Sequence, residues 1–458
     1  MVRRRELAVK SVWDYLQLSE AFQLHGVKLS KVPRVWQYIT SCLLDHPERL
    51  ALLERPCFDG MLDEEFRQLQ IPKKAVEILN REFVLSTSLV LEEQRSVSGT
   101  QSHKKLLIRM QDGSEVESVL IHMMSHQNPL EDYYTICVSS QVGCRMKCSF
   151  CATGMLGLQA DLTAGEIAEQ IYHAWRAGVQ PRNLVFMGMG EPLDNYEQVK
   201  GALETICSFA GFKIAPGRIS LSTVGVIHRI PQVAVDLPKI RLALSLHAPN
   251  QKLREEIIPS AKGDRYLERL MESIDKYIEI SGNMVMIEYI VLGGVNDSKA
   301  IAEELGRLLD GKQVFVNLIP YNPTVAGERF DFEAPSSESL TSMQNILSQF
   351  QDHLGRRLRV TIRKSTVAGR DIDAACGQLA LVSKQKNSKE PRSLIDIEDI
   401  VQSESVKKSS IPIVRKPKKI VEASADTHFR SWMLSPERML IMFAGLFLLA
   451  SIALKVLL

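Results

Sequence analysis

Short apolar runs alternate with longer amphipathic stretches between residues 133 and 364 of the 458-residue chain. The runs have the length of strands, and the stretches between them carry apolar residues at helical spacing. The predicted strands are 135–139, 184–187, 219–222, 241–246, 286–291, 315–318 and 360–362, and the predicted helices are 164–177, 196–209, 266–280, 298–309 and 340–354. This alternation predicts an α/β fold whose parallel sheet curls into a partial (βα)6-type barrel, with the chemistry at the carboxyl ends of the strands.

The composition divides the chain into five predicted segments. They are an N-terminal helical accessory domain at 1–92, a β-hairpin extension at 93–132, the barrel at 133–382, a disordered linker at 383–430 and an apolar helix at 431–458. In the first segment Val12, Trp13 and Leu16 are spaced as on one face of a helix. The linker is rich in Lys and Arg and has a single aromatic residue, so it cannot bury enough apolar surface to fold.

The hairpin prediction rests on alternating apolar and polar residues and on a turn at Asp112 and Gly113. Glu117 falls on the returning strand, where a glutamate is most often exposed and inert. Three cations of the hairpin are predicted to form a solvated face, with phosphate contact as the alternative: Lys104, Lys105 and Arg109.

The last segment contains an uncharged run of sixteen residues, 439–454, followed by one lysine and three more apolar residues. This length is close to that of a bilayer-spanning helix and predicts a C-terminal membrane anchor, with an amphipathic or buried terminal helix as the alternative. The cysteine pattern indicates a reducing compartment, and the N terminus has no apolar secretory signal. The predicted location is therefore the cytoplasm, with the apolar helix as a membrane tether.

Four of the eight cysteines fall between residues 137 and 151. Cys144, Cys148 and Cys151 form a C-x3-C-x2-C set, and soft thiolates this close on one loop suit iron–sulfur or zinc ligation. A cubane cluster has four irons, so three thiolates would leave one iron for a non-protein ligand. A structural zinc site, the alternative, normally has a fourth protein ligand, and the chain has no second C-x2-C pair. With Phe150 just before the third cysteine, the loop resembles the cluster loop of the radical S-adenosylmethionine (SAM) enzymes.

Glycine-rich and polar residues follow the predicted barrel strands. A GMGEP turn comes directly after strand 184–187, where glycine lets the backbone approach a ligand and the carboxylate of Glu191 suits the ammonium group of SAM. Since the ends of parallel strands meet at one rim, these residues are predicted to lie together. The candidates are Gly190, Glu191, Ser222, Ser245, Leu246, His247 and Asn322.

Cys376 lies just beyond the last predicted strand, in the sequence GRDIDAACGQL. The preceding segment 356–370 has six Lys or Arg residues and no acid, whereas the whole chain is nearly neutral, with a formal charge of +2. A basic field favours thiolate over thiol and attracts phosphates. A reactive cysteine beside such a segment suggests covalent chemistry on nucleic acid.

The chain from about residue 93 to 379 resembles the RlmN/Cfr family of radical SAM RNA methyltransferases, and more closely its RlmN branch. The resemblance rests on a consistent order of specific motifs, and the first ninety residues match only loosely. The motifs are VESVLI, TICVSSQVGCRMKCSFCATG, LTAGEI, VFMGMGEPLDN, ISLSTVGV, LALSLHAPN, NLIPYNP and GRDIDAACGQL. The segment after about residue 382 does not match the family.

The resemblance implies a role for each candidate residue. Cys144, Cys148 and Cys151 would hold a 4Fe-4S cluster, and the seven residues of the strand ends would bind SAM. Cys376 would accept a methyl group from a first SAM. A second SAM, cleaved at the cluster, would give a deoxyadenosyl radical that removes a hydrogen from that methyl group, and the carbon radical would add to C2 of adenine. Cys137 would then attack the sulfur of Cys376 and form a disulfide while Glu117 removes the C2 proton.

The predicted activity is thus methylation of C2 of adenosine in RNA, with large-subunit ribosomal RNA or tRNA as the substrate. Two alternatives stay open. One is methylation at C8, the Cfr-like outcome, and the other is a non-catalytic, metal-stabilised RNA-binding protein, which would not need Cys137 and Cys376 together. The resemblance also implies a flavodoxin- or ferredoxin-like electron donor and a monomeric protein.

Overall fold

The computed structural model describes residues 5, 7–45, 68–96, 102–124, 132–363, 372–374 and 377–379. The chain divides into two units, Met1–Gln385 and Lys386–Leu458, and every described residue belongs to the first. The predicted linker at 383–430 and the predicted apolar helix at 431–458 lie outside the described residues. Among the helices that are described, none is long and apolar enough to cross a membrane.

Most strands of the protein belong to one sheet. The strands are, in chain order, β1 (Lys10–Ser11), β2 (Phe83–Val84), β3 (Leu89–Arg95), β4 (Lys104–Arg109), β5 (Glu115–Met123), β6 (Tyr133–Cys137), β7 (Gln141–Val142), β8 (Ala160–Asp161), β9 (Asn183–Phe186), β10 (Ile219–Thr223), β11 (Arg241–Ser245), β12 (Val285–Val291), β13 (Val314–Pro320) and β14 (Val360–Ile362). A ten-stranded sheet has the order β14-β13-β12-β11-β10-β9-β6-β5-β4-β3. The other strands form two small pairs, β1 with β2 and β7 with β8.

The parallel part of this sheet confirms the prediction. The neighbouring strands β6 and β9 to β14 all pair in parallel. They lie within about two residues of the predicted strands, as expected for the accuracy of strand ends. The order is linear, and within the described residues the end strands β14 and β3 do not pair, as in a partial barrel. The whole sheet is mixed, because β3 to β5 are antiparallel.

The predicted hairpin is built into this sheet. Strands β4 and β5 pair on either side of the predicted turn, where Gly113 has a φ of +80°. β3, which the sequence assigned to the same arm as β4, is a separate strand antiparallel to it, and β5 pairs with β6. Four of the six residues of β4 and five of the nine residues of β5 are buried, and they lie on both faces of the strands. The hairpin therefore has no solvated face of the kind that was predicted.

The register sorts the side chains of the sheet onto two faces, because successive residues of a strand point to opposite sides. On one face, called here the inner face, Ser245, Glu288 and Asn317 lie side by side on neighbouring strands. Following the pairs across the sheet places Cys137 and Ser222 on the inner face too. The intervening positions carry aliphatic residues of the main hydrophobic core: Leu184, Leu221, Leu244, Ile287 and Val316.

Helices follow most of the parallel strands. They are α1 (Tyr15–Leu24), α2 (Val32–Asp45), α3 (Lys73–Glu82), α4 (Ala152–Leu156), α5 (Ala164–Arg176), α6 (Tyr196–Cys207), α7 (Ile230–Asp236), α8 (Gln251–Ile257), α9 (Tyr266–Ser281), α10 (Lys299–Leu309), α11 (Val325–Glu328) and α12 (Ser337–Leu347). The helix predicted at 340–354 is α12, which begins earlier because the side chain of Ser336 caps it by accepting from Ser339 N. It also ends earlier, since the chain turns back and Leu358 N donates to Phe350 O at 2.8 Å.

The N-terminal helices pack against the helices of the sheet. Val12 and Trp13, which were predicted to lie on a helix face, precede α1, whose N-cap is Asp14. Trp13 is fully buried, with its ring centroid 4.7 Å from that of Phe212. The hydroxyl of Thr205 in α6 donates to Trp13 O at 2.8 Å. Val12 and Trp13 are thus buried, but they lie on the extended segment before α1 and not on a helix. Leu16, the third residue predicted for this face, lies in α1 and is 38% exposed.

Candidate active site

The three clustered cysteines lie on a loop that is closed by β7 and β8. At the start of the loop Cys144 N donates to Gly157 O at 3.1 Å, and the neighbouring Gly143 has a φ of +74°. A Cβ atom at Gly143 would lie 1.8 Å from Gly157 O, so only glycine fits there. At the end of the loop Cys151 N donates to Cys148 O at 3.1 Å and Cys151 is the N-cap of α4. The loop is therefore held at both ends.

The cysteine loop and residues of five strands, β9 to β13, line one cavity. Its lining includes eight of the predicted site residues, which are Cys144, Cys148, Cys151, Gly190, Glu191, Ser222, Ser245 and His247. Phe150, which the sequence singled out, lines it as well. The predicted rim of strand ends and the cysteine loop thus face each other, as the parallel arrangement requires.

The three cysteines are partly buried and line the same cavity. Burial raises the pKa of Cys144 to about 12 and the pKa of Cys148 well above its ordinary value, and for Cys148 the charges of Cys151 and Cys144 add to the effect. These thiols would ionise only with a cation beside them. Among the described residues no three Cys, His, Asp or Glu side chains are gathered as the ligands of a single metal ion would be. Three soft thiolate donors on one cavity suit the irons of an iron–sulfur cluster.

The GMGEP turn after β9 brings a carboxylate to the cavity. Gly190 has a φ of +102°, and a Cβ atom there would lie 2.6 Å from Gln141 Cβ, so the turn packs closely against β7. Glu191 follows; its Oε1 accepts from Leu193 N at 3.0 Å and its Oε2 from Val224 N at 2.9 Å. Burial raises the pKa of Glu191 to about 7. The carboxylate is therefore fixed in place and is stabilised by any positive group that enters the cavity.

His247 is a neutral donor at the cavity wall. Its Nδ1 accepts from Ile290 N at 3.0 Å, which assigns the ring proton to Nε2. Burial, together with the charge of Arg254, lowers the pKa of His247 to about 3. The ring also meets Phe150 edge to face, at 5.0 Å between centroids. His247 can thus donate one hydrogen bond to a ligand without changing charge near neutral pH.

Glu288 is a site residue that the sequence analysis missed. It lines the cavity from the inner face of β12, and burial raises its pKa. Asn317 Nδ2 donates to Glu288 Oε2 at 2.9 Å, and Thr361 Oγ1 donates to Asn317 Oδ1 at 3.1 Å. On the next strands the hydroxyls of Ser222 and Ser245 lie 3.3 Å apart. A single acid within the apolar strand VMIEYIV was the signal that could have revealed it.

Three further candidates are described residues that do not line the cavity: Leu246, Asn322 and Cys137. Leu246 is fully buried at the end of β11, and Asn322 is buried two residues beyond the end of β13. Cys137 is a buried thiol on the inner face of β6. Cys376 lies outside the described residues, but Gly377, which follows it in the chain, lines the cavity. Gly377 O accepts from Ala152 N at 2.8 Å.

Glu117 and the lysines of the hairpin are buried, contrary to the prediction. Only 3% of Glu117 and 5% of Lys105 is exposed, and Lys105 Nζ lies 3.1 Å from Glu117 Oε1. Lys104 is also buried and donates to Ala177 O at 2.9 Å, whereas Arg109 is partly exposed and pairs with Glu115. The prediction was wrong because β4 and β5 are inner strands of the mixed sheet.

The same register relates Glu117 to Cys137. Val119 of β5 lies opposite Cys137 of β6, and Glu117 is two residues from Val119 on the same strand. Glu117 and Cys137 therefore share the inner face of the sheet. Ser139 Oγ, just beyond Cys137, donates to Glu117 O at 2.7 Å. The two residues with predicted roles in product release are thus neighbours on adjacent strands.

Comparison with known proteins gives consistent matches. Residues 138–305 match the model of the radical SAM superfamily. The chain is 38% identical over 317 residues to the ribosomal RNA large subunit methyltransferase N of Nitrosopumilus maritimus, which covers 68% of this chain and 86% of that protein. It is 42% identical over 286 residues to a probable dual-specificity RNA methyltransferase RlmN 2 of Protochlamydia amoebophila, covering 61% of this chain and 74% of that protein.

A solved structure agrees with these relatives. The crystal structure of a radical SAM methyltransferase from Sphaerobacter thermophilus is 34% identical, with a TM-score of 0.64, and the match covers 81% of this chain and 98% of that one. Radical SAM enzymes use a 4Fe-4S cluster and SAM, which the cavity of soft thiols and polar strand ends suits. The identity and coverage of these relatives, together with the order of the motifs and the site they build, show that this chain belongs to the RlmN/Cfr family of radical SAM RNA methyltransferases.

Proposed function

We propose that this protein methylates C2 of adenosine in RNA, with SAM as the source of the methyl group and large-subunit ribosomal RNA or tRNA as the substrate. The observation that carries the proposal is the single cavity in which three partly buried thiols face Glu191, His247 and the strand-end serines. The relatives named as RlmN proteins support C2 rather than C8. Because the family consists of enzymes, the alternative of a non-catalytic RNA-binding protein is not supported.

The cysteine loop would hold the cluster, with Cys144, Cys148 and Cys151 each binding one iron. When bound, the cluster supplies the electron that cleaves SAM and leaves one iron for the amino acid end of SAM. Glu191 would accept a hydrogen bond from the amino group of SAM, and His247 would donate one from Nε2. Ser222 and Ser245 line the same wall and would complete the polar contacts.

The methyl group would pass through Cys376. Its thiolate attacks the sulfonium methyl group of SAM, so that a sulfur–carbon bond forms at Cys376 and S-adenosylhomocysteine leaves. The anchored position of Gly377 at the cavity supports this role for the preceding residue. C2 of adenine is not nucleophilic, so a carbon radical on the Cys376 methyl group can add where a polar displacement cannot.

Release of the product would use the two residues on the inner face of β5 and β6. Glu117 would take the C2 proton, and its carboxylate is fixed by the ion pair with Lys105 at 3.1 Å. The adduct radical must first lose one electron, for which the oxidised cluster would be the acceptor. The thiolate of Cys137 would then attack the sulfur of Cys376, so that a transient disulfide forms and the carbon–sulfur bond to the base breaks. The electron pair of that bond would stay on the methylene carbon, which takes up a proton and becomes the methyl group. Their common face and buried setting support this pairing of roles.

Replacing Cys137 with alanine is expected to trap a covalent complex between the protein and its RNA, because the adduct can form but cannot be released. Denaturing gels of an anaerobic turnover reaction would show the complex as an RNA-dependent shift. Methylated product should fall by about 10²-fold or more. The double variant Cys137→Ala/Cys376→Ala is the control and should give no shift. A Cys137→Ala protein that releases methylated RNA at the normal rate would refute the release step.

The affinity for SAM is expected to fall as the pH drops below about 7, because burial raises the pKa of Glu191 to about 7 and the amino group of SAM pairs with the ionised form. Between pH 7 and pH 6 the affinity for SAM should fall about fivefold because Glu191 becomes protonated. Above pH 8 the affinity should no longer depend on this group. Equilibrium binding of SAM at each pH measures it. The Glu191→Gln variant should bind SAM more weakly with a flatter profile, and identical profiles would rule out Glu191 as the titrating partner.

Three further properties stay predictions. The first is an electron donor of the flavodoxin or ferredoxin type, and the second is a monomeric state. A membrane tether formed by residues 431–458 is proposed only from their composition. Deletion of the chain after residue 382 should leave methylation intact and change only how the protein fractionates.

A further inference from the structure

Arg254 in α8 is fully buried directly behind the wall of the cavity. Its Nε donates to Leu246 O at 3.1 Å, and its Nη2 donates to Val224 O at 2.5 Å and to Ser245 O at 3.3 Å. Val224 and Ser245 both line the cavity. The guanidinium group is therefore fastened to the carboxyl ends of β10 and β11, on the side away from the aqueous surface.

The charge of this arginine is not met by a carboxylate among the described residues. Its hydrogen bonds go to backbone carbonyls, and its other close partner is the ring of Tyr266, 5.7 Å from the guanidinium carbon. Nη1 is buried, and no acceptor lies within reach of it in the part of the chain that is described. Burying an arginine without an opposing charge costs several kcal/mol. An anion bound in the cavity would offset this cost.

Cys148 packs against the same small core cluster as two residues that contact Arg254. The cluster is also packed by Val224, whose carbonyl accepts from Arg254, and by Tyr266, whose ring lies against the guanidinium group. Ser149 N and Ser149 Oγ donate to Ile257 O at 2.9 and 3.0 Å, so the cysteine loop is tied to the helix that carries the arginine.

We propose that Arg254 is the counter-charge of the iron–sulfur cluster, donating from Nη1 to a cluster sulfur or to the Cys148 thiolate and raising the reduction potential of the cluster. The proposal rests on the ligand role given to the three cysteines. Three thiolates make the cluster unit anionic, and reduction adds one more negative charge. A fixed cation and an N–H donor at sulfur stabilise the reduced state more than the oxidised state. Arg254 is thus a positioning residue for electron transfer and does not contact the RNA.

The test is a redox titration of the anaerobically reconstituted full chain without SAM, followed by electron paramagnetic resonance. Arg254→Met should load iron and show a midpoint potential at least about 59 mV lower, a tenfold change in the one-electron equilibrium. Arg254→Lys keeps the charge but not the planar set of N–H donors, so its midpoint potential should lie between those of the wild type and Arg254→Met. Arg229→Met is the matched control, because Arg229 also covers a tyrosine ring, at 5.0 Å, but pairs with Glu197, and it should keep the wild-type potential.

Other outcomes separate the possible errors. An unchanged potential in Arg254→Met and Arg254→Lys, with full iron content, would overturn the proposal. If the same variants instead bind SAM more than tenfold more weakly, the arginine serves the carboxylate of SAM. If Arg254→Met does not load iron, the test rests on Arg254→Lys. A lowered midpoint potential in that variant would support the proposal and an unchanged one would overturn it. Failure of the wild-type chain to form a cluster would refute the ligand role of the cysteines and not only this inference.

Discussion

Replacement of Cys148 with alanine should abolish the iron–sulfur cluster and with it all RNA methylation. Cys148 lines the cavity and lies in the electrostatic field of Cys144 and Cys151, so its loss removes one of the three soft ligands of the cluster. Iron content of the reconstituted protein should fall from about four per chain to less than about one, and methylation by about 10³-fold or more. Absorption spectra and iron analysis measure the first effect and nucleoside analysis the second.

A matched control is available on α6. Cys207 is partly buried and lies outside the cavity lining, so Cys207→Ala should keep the iron content and the absorption of the unaltered protein. Stoichiometric zinc without iron in the wild-type chain, or a full cluster in Cys148→Ala, would be incompatible with the three-thiolate site. The first of these results would favour the structural zinc alternative.

Replacement of Cys376 with alanine should leave the cluster intact but reduce RNA methylation below detection, by about 10³-fold or more. The reason is that the variant lacks the thiolate that accepts the methyl group, whereas the three cluster cysteines are unchanged. In the wild-type protein incubated with SAM, mass spectrometry of the peptide containing Cys376 should show one methyl group in place of a hydrogen. The same peptide from Cys376→Ala should carry none.

This pair of measurements also checks the order of the steps. Methyl groups found on Cys137 rather than on Cys376 would reverse the two roles. Methylated RNA from Cys376→Ala at even a tenth of the normal rate would show that the carbon reaches adenine without a protein sulfur. Iron content serves as the control for folding, because α4 and the cysteine loop contact Gly377 beside the altered position.

The strands and their ends could be predicted from the sequence because both depend on local pattern. Apolar runs of strand length gave the parallel strands, and residues just beyond each run met at one rim, as parallel strands require. Of the eight predicted site residues that line the cavity, five lie at these strand ends and three on the cysteine loop. His247 and Glu191 could be identified as site residues, but the tautomer of the one and the raised pKa of the other depend on contacts with Ile290 and Val224 that no local pattern contains.

The errors share a physical cause. Periodicity shows which residues share a face of a strand, but not what covers that face. Lys105 and Glu117 were expected in solvent because the hairpin was taken alone, whereas β3 and β6 flank it and bury both. Glu288 was overlooked because the strand prediction for β12 depended on its apolar residues, and the single acid among them was not considered as a ligand-binding group. Arg254 could not be predicted as a buried residue, because its burial results from tertiary contacts with the residues that follow β10 and β11.

The most direct test of the account is to supply the reduced, reconstituted protein with SAM and RNA and to measure 5′-deoxyadenosine and methyladenosine in the same reaction. The account predicts that 2-methyladenosine and 5′-deoxyadenosine appear in about equal amounts, and that both depend on Cys148. Formation of 8-methyladenosine would show that the position of attack was assigned wrongly. Methylated RNA without 5′-deoxyadenosine, or neither product from a protein with a full cluster, would contradict radical methylation by this chain.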